Sequence, residues 1–217
     1  MKPKNKKLLL FLQHHLIGLP VLAGLVAITA IITLNLTFIY PWIIEAYNLE
    51  RFTGLDADTL MHNYRILIAY NNIPWITTLY MPDFPMSASG EFHFWEVWVI
   101  FFVLQLIAFV LIIWIVASVW KKWKLLEYFN AAGNLTIFIF GTFLAIMLID
   151  FDFFFYWFHR AFFNNDYWLF DARTDPVIRA LPAELFMIKG FIIIGFLFII
   201  AVVAKVFHYT GKKKKIN

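Results

Sequence analysis

The sequence predicts an all-α integral membrane protein with four transmembrane helices and a small extracytoplasmic cap. Hydrophobic residues make up 62% of the 217 residues, and the mean hydropathy is +0.75. Soluble domains contain about 45–50% apolar residues. Four apolar stretches also reach the length of about 20 residues that a helix needs to cross the hydrocarbon core. The lysines cluster beside these stretches, as positively charged residues do on one side of a membrane.

The four predicted spans are residues 16–40, 95–120, 135–159 and 185–208. The first follows several lysines, as a signal peptide would. Its apolar stretch, however, is longer than the roughly 7–15 residues of a signal-peptide core, and no small-residue cleavage site follows it. We therefore expect the first helix to be retained, and residues 1–217 to form a single membrane domain.

The basic residues predict the orientation of the chain. Twelve of the 13 lysines lie before the first span, between the second and third, or around the end of the fourth: residues 2–7, 121–124 and 205–215. Since lysine and arginine concentrate in cytoplasmic loops, both termini are expected in the cytoplasm. A basic surface of this kind suits anionic lipid head groups and not nucleic acid.

The remaining segments, residues 41–94 and 160–184, are predicted to form the cap outside the membrane. The first is interrupted by prolines and glycines, which mark turns. Within it, Asp56 is a candidate N-cap for a helix that runs through Leu60, Tyr64 and Leu67 to about Tyr70. The chain has no cysteine, so disulfides do not hold this cap together.

Two histidines lie where a predicted span meets the outer face. His93 precedes the second span, with Glu96 one helical turn further on. His159 ends the third span, and Asp152 and Tyr156 share its helical face at i−7 and i−3. Either carboxylate could orient an imidazole. Ionisable groups near membrane depth are costly unless paired or functional, although histidines and aromatic residues also form simple interfacial belts.

The sequence restricts the chemistry that these histidines could support. There is no cysteine and no G-x-S-x-G motif, and Ser87 and Ser89 are the only serines in the predicted outer segments, so a covalent acyl-enzyme has weak support. H-E-x-x-H is also absent, and we expect neither a metal nor a cofactor. Acid/base catalysis by imidazole remains, provided that the substrate brings its own nucleophile.

Three segments carry a resemblance to a known family: LDADTLMHNYRILIAYN in the cap, EFHFWEVW at the second span, and FHRAFFNNDYWLFDARTDPVIRALPAELF after the third. With the four-span layout, they identify the chain as resembling the bacterial lipoprotein intramolecular transacylases. The last segment is the most specific, because it combines His159, Phe162, Phe163, Asn164, Trp168, Asp175 and Pro182.

The resemblance implies an acyltransferase of the bacterial cell membrane, with its active site at the outer face. Such an enzyme moves the sn-2 acyl chain of a diacylglyceryl lipoprotein onto the free amino group of its N-terminal cysteine, which gives the lyso form. The expected partners are that lipoprotein and membrane lipid. Family members use two histidines where the cap meets the membrane, and His93 and His159 occupy that position here.

We expect His159 to act as the base and His93 as the acid or oxyanion donor, although the roles could be reversed. The residues expected to support the site or bind substrate are Glu96, Asp152, Tyr156, Phe162, Phe163, Asn164 and Trp168. For each aromatic ring, bundle packing or an interfacial belt is the alternative. For the whole chain, the alternative is a noncatalytic membrane partner or lipid-binding protein with the cap as its interaction surface.

Overall fold

The computed structural model describes residues 16–121 and 125–213, with side chains to residue 211. All regular secondary structure in these residues is helical. The α-helices are α1 Leu19–Leu34, α2 Ile39–Ala46, α3 Leu49–Thr53, α4 Ala57–Asn72, α5 Ala88–Trp120, α6 Leu125–Ile149, α7 Phe151–Phe162 and α8 Ala183–Lys213, and a 3-10 helix covers Pro176–Arg179.

Three of these helices, α5, α6 and α8, are each long and apolar enough to cross a membrane. Helices α1 and α2 pass the same test together, but they form a pair bent by 62°. The predicted number of four spans is therefore reached when this bent pair counts as one span. Most of the lysines that predict the orientation, at residues 2–7, 122–124 and 212–215, lie outside the described side chains.

The first predicted span, residues 16–40, differs from the structure because the helix ends at Leu34. The carbonyl groups of a helix's last turn lack partners within the helix. Here the ammonium group of Lys189 donates hydrogen bonds to the carbonyl oxygens of Thr33 at 2.8 Å and Leu34 at 3.3 Å. Asn35 and Asn72 also exchange hydrogen bonds of 3.1 and 3.0 Å beside the break. These polar contacts satisfy the helix end that the hydropathy pattern could not reveal.

The third predicted span, residues 135–159, is two helices in the structure. Helix α6 ends at Ile149, and Asp150 has extended backbone angles (φ −154°, ψ 97°). The Asp150 carboxylate accepts a hydrogen bond of 2.9 Å from the amide of Phe153, so it is the N-cap of α7. His159 therefore lies in the last turn of a short separate helix and not at the end of a span.

The chain divides into two compact units. Within the described residues, the first consists of everything up to Ala30, Leu104–Leu148 and the part from Phe191 onward. Its core contains Val21, Leu22, Leu25, Leu111, Ala132 and Leu197. The chain approaches itself closely at a glycine: a Cβ atom on Gly18, which immediately precedes α1, would lie 2.6 Å from the amide nitrogen of Ala132. Small residues commonly allow such contacts between membrane helices.

The second unit, Ile31–Val103 with Ile149–Gly190, contains both predicted cap segments. Its core includes Tyr40 and Tyr64, whose rings stack with centroids 3.9 Å apart, and the Tyr40 hydroxyl donates to the carbonyl of Ala180 at 2.8 Å. The helix predicted after Asp56 is confirmed as α4. The Asp56 carboxylate caps it by accepting a hydrogen bond of 2.7 Å from the amide of Thr59.

Candidate functional site

The start of α5 is fixed by a buried carboxylate. Asp175, only 3% exposed, accepts hydrogen bonds from the amide of Ser87 at 2.8 Å and from the hydroxyl of Thr174 at 2.7 Å. The Ser87 hydroxyl lies 2.9 and 3.0 Å from the two Asp175 oxygens and accepts from the amide of Gly90 at 3.1 Å. A negative charge near a helix N-terminus is favourable. These contacts anchor the helix less than two turns before His93.

His93 is buried in an aromatic environment. It is 6% exposed, and its ring meets the rings of Phe163 and Phe170 edge-on, with centroids 4.7 and 5.5 Å away. Its Nδ1 atom makes no hydrogen bond within the described structure, and neither does Oε2 of Glu96, which lies 3.9 Å from it. The other Glu96 oxygen, Oε1, accepts a hydrogen bond of 2.8 Å from the side-chain amide of Asn165.

His159 has a different hydrogen-bond environment. Its Nδ1 atom lies 2.7 Å from the carbonyl oxygen of Phe155, one turn earlier in α7. A carbonyl oxygen can only accept, so Nδ1 carries the hydrogen and Nε2 of the neutral ring keeps its lone pair. Trp168 stacks on the imidazole with centroids 4.7 Å apart at 27°. Burial lowers the pKa of His159, although the bond to the Phe155 carbonyl partly opposes this shift.

The structure brings the two predicted histidines together. Their ring centroids are 6.1 Å apart, and the ring of Phe163 contacts both imidazoles. Of the predicted supporting residues, Glu96 and Trp168 also lie against this pair. Tyr156 lies one contact further out, with its ring edge-on to Trp168 at 5.6 Å.

Three predicted supporting residues do not reach the histidines. Phe162 is 56% exposed and packs on Phe158, with centroids 4.6 Å apart. Asn164 is exposed. Asp152 lines a separate open cavity of about 390 Å³, together with Asp150 and Glu184, and neither histidine contributes to it.

The structure gives the Nδ1 atom of His159 a partner other than Asp152, one of the carboxylates that could orient an imidazole. Position i−7 lies two turns away along the helix axis, whereas the carbonyl at i−4 lies one turn away. The carbonyl of Phe155 therefore takes the Nδ1 hydrogen. Among the described residues, no group of three or more histidine or carboxylate side chains is arranged to hold a metal ion.

Sequence reasoning missed Asn165, Phe170 and the Phe155 carbonyl. Asn165 follows Asn164 directly, and no local pattern distinguishes the two asparagines. The difference arises from a contact with Glu96, which is 69 positions away in the chain. The Phe155 carbonyl could have been found from helix geometry, because the carbonyl at i−4 lies one turn before a helical histidine whatever side chain stands there.

Comparison with known proteins supports the resemblance. The family model described as lipoprotein intramolecular transacylase Lit matches residues 15–186. A structure of the membrane-integral lipoprotein intramolecular transacylase Lit from Bacillus cereus superposes with a TM-score of 0.79, at 28% identity over 94% of this chain and 99% of that one. The same Bacillus cereus protein with a histidine-to-arginine substitution gives a TM-score of 0.70, at 25% identity over 98% of each chain.

No curated protein sequence matches the chain. The superposition nevertheless confirms the predicted fold class, an all-helical integral membrane protein that crosses the membrane several times.

Proposed function

The chain belongs to the lipoprotein intramolecular transacylase family, and on this premise we propose that it moves the sn-2 acyl chain of a diacylglyceryl lipoprotein to the amino group of the N-terminal cysteine. The product is the lyso form with an N-acylated terminus. The observation that carries the proposal is the pair of imidazoles 6.1 Å apart, whose Nδ1 atoms face different partners. Membrane lipid surrounds the enzyme and holds its substrate.

His159 is the base of the proposed reaction. Because its Nδ1 hydrogen is bound to the Phe155 carbonyl, Nε2 is the atom that accepts a proton. Its lowered pKa keeps the ring neutral near pH 7. As the cysteine amine attacks the ester carbonyl, Nε2 removes a proton from the nitrogen, and the carbonyl oxygen becomes an oxyanion.

His93 is the donor. Burial disfavours a charge on this ring, and Glu96, on its Nδ1 side at 3.9 Å, stabilises that charge when the ring carries a proton. The opposite nitrogen hydrogen-bonds the oxyanion and then gives a proton to the departing glyceryl oxygen. The carbon–oxygen bond breaks as the amide forms. The proton that His159 took from the amine then passes to His93, which is again ready to donate. The reaction as a whole therefore neither consumes nor releases a proton.

The aromatic rings around the pair serve to exclude water. Phe163 and Phe170 pack against His93, and Trp168 covers one face of His159. Water that reached the activated ester would compete with the amine and release a free fatty acid. A site walled by aromatic rings limits this hydrolysis and strengthens the hydrogen bonds to the oxyanion.

The two serines of the predicted outer segments have another role. The Ser87 hydroxyl is bound to Asp175 and to the Gly90 amide, and the Ser89 hydroxyl lies 2.9 Å from that of Ser87. Ser87 therefore caps α5, which leaves the direct transfer between two groups of one substrate as the favoured route. An acyl group trapped on either serine would contradict it.

Removal of each imidazole tests the proposal. His93→Ala and His159→Ala should each lower the rate of lyso-form production by about 100- to 10,000-fold, the usual cost of losing a proton-transfer group. Because both rings serve one transition state, the double variant should be little slower than the slower single variant. Mass spectrometry of the lipoprotein N-terminus, with a labelled sn-2 chain, measures the product directly.

The matched control is His62→Ala, which removes an exposed histidine from α4 and should leave the rate unchanged. Since His93 is buried, His93→Gln provides a second variant that fills more of its volume, and thermal unfolding of each variant tests folding. Folded variants that retain near-normal transfer would rule out the two imidazoles as the proton-transfer groups, whereas purified native protein that makes no lyso form would support the noncatalytic alternative. Release of the labelled chain as free fatty acid by the native protein would instead indicate a hydrolase.

A further inference from the structure

Asn165 connects the surroundings of both histidines. It lies in the loop between α7 and the 3-10 helix, and its side-chain amide donates to Oε1 of Glu96 at 2.8 Å. Its side-chain oxygen accepts from the amide of Tyr167 at 3.0 Å, and its backbone carbonyl accepts from the indole nitrogen of Trp168, also at 3.0 Å. Glu96 faces His93 and Trp168 covers His159, so one loop residue contacts a neighbour of each imidazole.

The contact to Glu96 settles which way that carboxylate points. A glutamate side chain loses substantial rotamer freedom when it is fixed, and the side chain of Glu96 is 19% exposed, so it has access to solvent. With Oε1 bound to Asn165, the other oxygen remains buried on the side of Nδ1 of His93, 3.9 Å away. Catalytic hydrogen bonds are often long before substrate binds and shorten in the complex.

We propose that Asn165 is a positioning residue that holds Glu96 against Nδ1 of His93, so that His93 presents its other ring nitrogen to the substrate as the proton donor. The inference rests on the proposed transacylation. It assigns Asn165 no contact with the substrate. The carboxylate near Nδ1 then stabilises the protonated imidazole, as second partners of functional histidines commonly do.

The two polar groups of the Asn165 side chain have separable tasks. Its oxygen closes the local turn through the Tyr167 amide, which requires no distant partner. Its NH2 group instead spans 69 positions of sequence to reach Glu96. A substitution that keeps the oxygen and removes the NH2 group therefore separates positioning from loop structure.

Asn165→Asp is that substitution. The introduced carboxylate retains an acceptor for the Tyr167 amide but faces Glu96 with an oxygen, so the hydrogen bond is replaced by repulsion between like charges. We expect kcat for a synthetic diacylglyceryl lipopeptide to fall by about 10- to 100-fold, the usual cost of losing such a supporting partner. KM should change little, because substrate contacts are retained.

The pH dependence of this loss distinguishes positioning from general disruption. Glu96 faces His93 on the same helix and residue 165 in the loop, and the ring of His159 lies 6.1 Å from that of His93. Two adjacent carboxyl groups share a proton as the pH falls, and the shared proton rebuilds a hydrogen bond between them. The rate of Asn165→Asp relative to the native protein should therefore be higher at about pH 5.5 than at about pH 8.

Asn48→Asp is the matched control. It introduces the same charge at an exposed position in the second unit, where the backbone is left-handed with φ 50°, a conformation that asparagine and aspartate tolerate. The ratio of its transfer rate to that of the native protein should be close to one at every pH. Asn164→Asp provides a second comparison, because this variant should lose less transfer activity than Asn165→Asp.

Glu96→Gln tests the same inference if Asn165→Asp fails to fold. Glutamine keeps an oxygen for the Asn165 amide but removes the charge opposite His93, so kcat should fall without recovery at low pH. The inference is overturned if either Glu96→Gln or folded Asn165→Asp transfers acyl chains at the rate of the Asn48→Asp control. It is also overturned if the loss of transfer rate in Asn165→Asp is the same at every pH. If neither the native protein nor Asn48→Asp makes the lyso form, the proposed function fails and the inference fails with it.

Discussion

The Nδ1 atoms of the two imidazoles face acceptors of different charge, and this difference supports different roles for the two rings. The Nδ1 of His159 meets a backbone carbonyl, which is neutral and only accepts. The Nδ1 of His93 faces a carboxylate. A carbonyl fixes a tautomer without adding charge, whereas a carboxylate also stabilises the protonated ring. The base and donor roles proposed for His159 and His93 follow from these partners.

The rate of transfer should depend on pH in a way that reports His159. Burial lowers its pKa below the ordinary value of 6.5, so the base is neutral above the lowered pKa and protonated below it. The substrate amine has an ordinary pKa of about 8 and is reactive only when it has lost its proton. Protonation of the base should therefore add about one to the slope of the logarithm of kcat/KM below the His159 pKa, in addition to the slopes set by the amine and by the proton that His93 must carry.

A pH–rate profile of the native protein checks this result, with His62→Ala as the control that should give the same curve. If this added slope persists well above pH 6.5, the pKa of the base is not lowered.

Among the secondary-structure elements, the beginning of α5 determines the position of His93. Gly90 lies in its first turn beside Asp175, and a Cβ atom at this position would lie 2.2 Å from the Asp175 carboxylate oxygen. That oxygen is also bound to the Ser87 amide. Glycine is therefore required here because the Asp175 carboxylate lies so close, and not because of the backbone angles. At this point the segment that follows α7 contacts the beginning of α5.

Gly90→Ala should lower both thermal stability and activity. Alanine is normally favoured over glycine inside a helix by about 1 kcal/mol, but here the added methyl group must displace a buried carboxylate with several hydrogen bonds. We expect a net loss of about 1–3 kcal/mol, typical of overpacking. Gly195→Ala in α8 is the control, since its Cβ atom meets nothing within 4 Å. Equal or higher stability of Gly90→Ala in thermal unfolding would contradict this account.

At the scale of the whole molecule, the lysine distribution predicts that the segments carrying both histidines face outward. The chain lacks cysteine, so a single introduced thiol can be labelled without background. Asp58→Cys and Asp171→Cys place thiols at exposed positions of the two predicted cap segments. Both should react with a membrane-impermeant thiol reagent in intact cells.

Gly211→Cys provides the opposite control, because it lies in the last turns of α8 beside the lysine-rich end. Its thiol should react only after the membrane is opened. The reverse pattern, with Asp58→Cys and Asp171→Cys protected in intact cells, would overturn the orientation and place the proposed site on the cytoplasmic side.

Local sequence patterns determined a large part of this protein. Long apolar runs predicted the membrane class, since about 20 apolar residues in a row have few other stable environments. Asp56 predicted the start of α4, because an N-cap acts on amides a few residues away. His93 and His159 could be selected as candidates because ionisable groups are rare in such apolar surroundings.

The tertiary structure decided the features that depend on partners distant in sequence. Lys189 satisfies the end of α1 from 156 positions away. Asn165, and not Asn164, binds Glu96. Hydropathy measures the mean polarity of a segment, whereas a hydrogen bond needs one donor and one acceptor at about 3 Å. The identities of those partners are fixed only when the chain has folded.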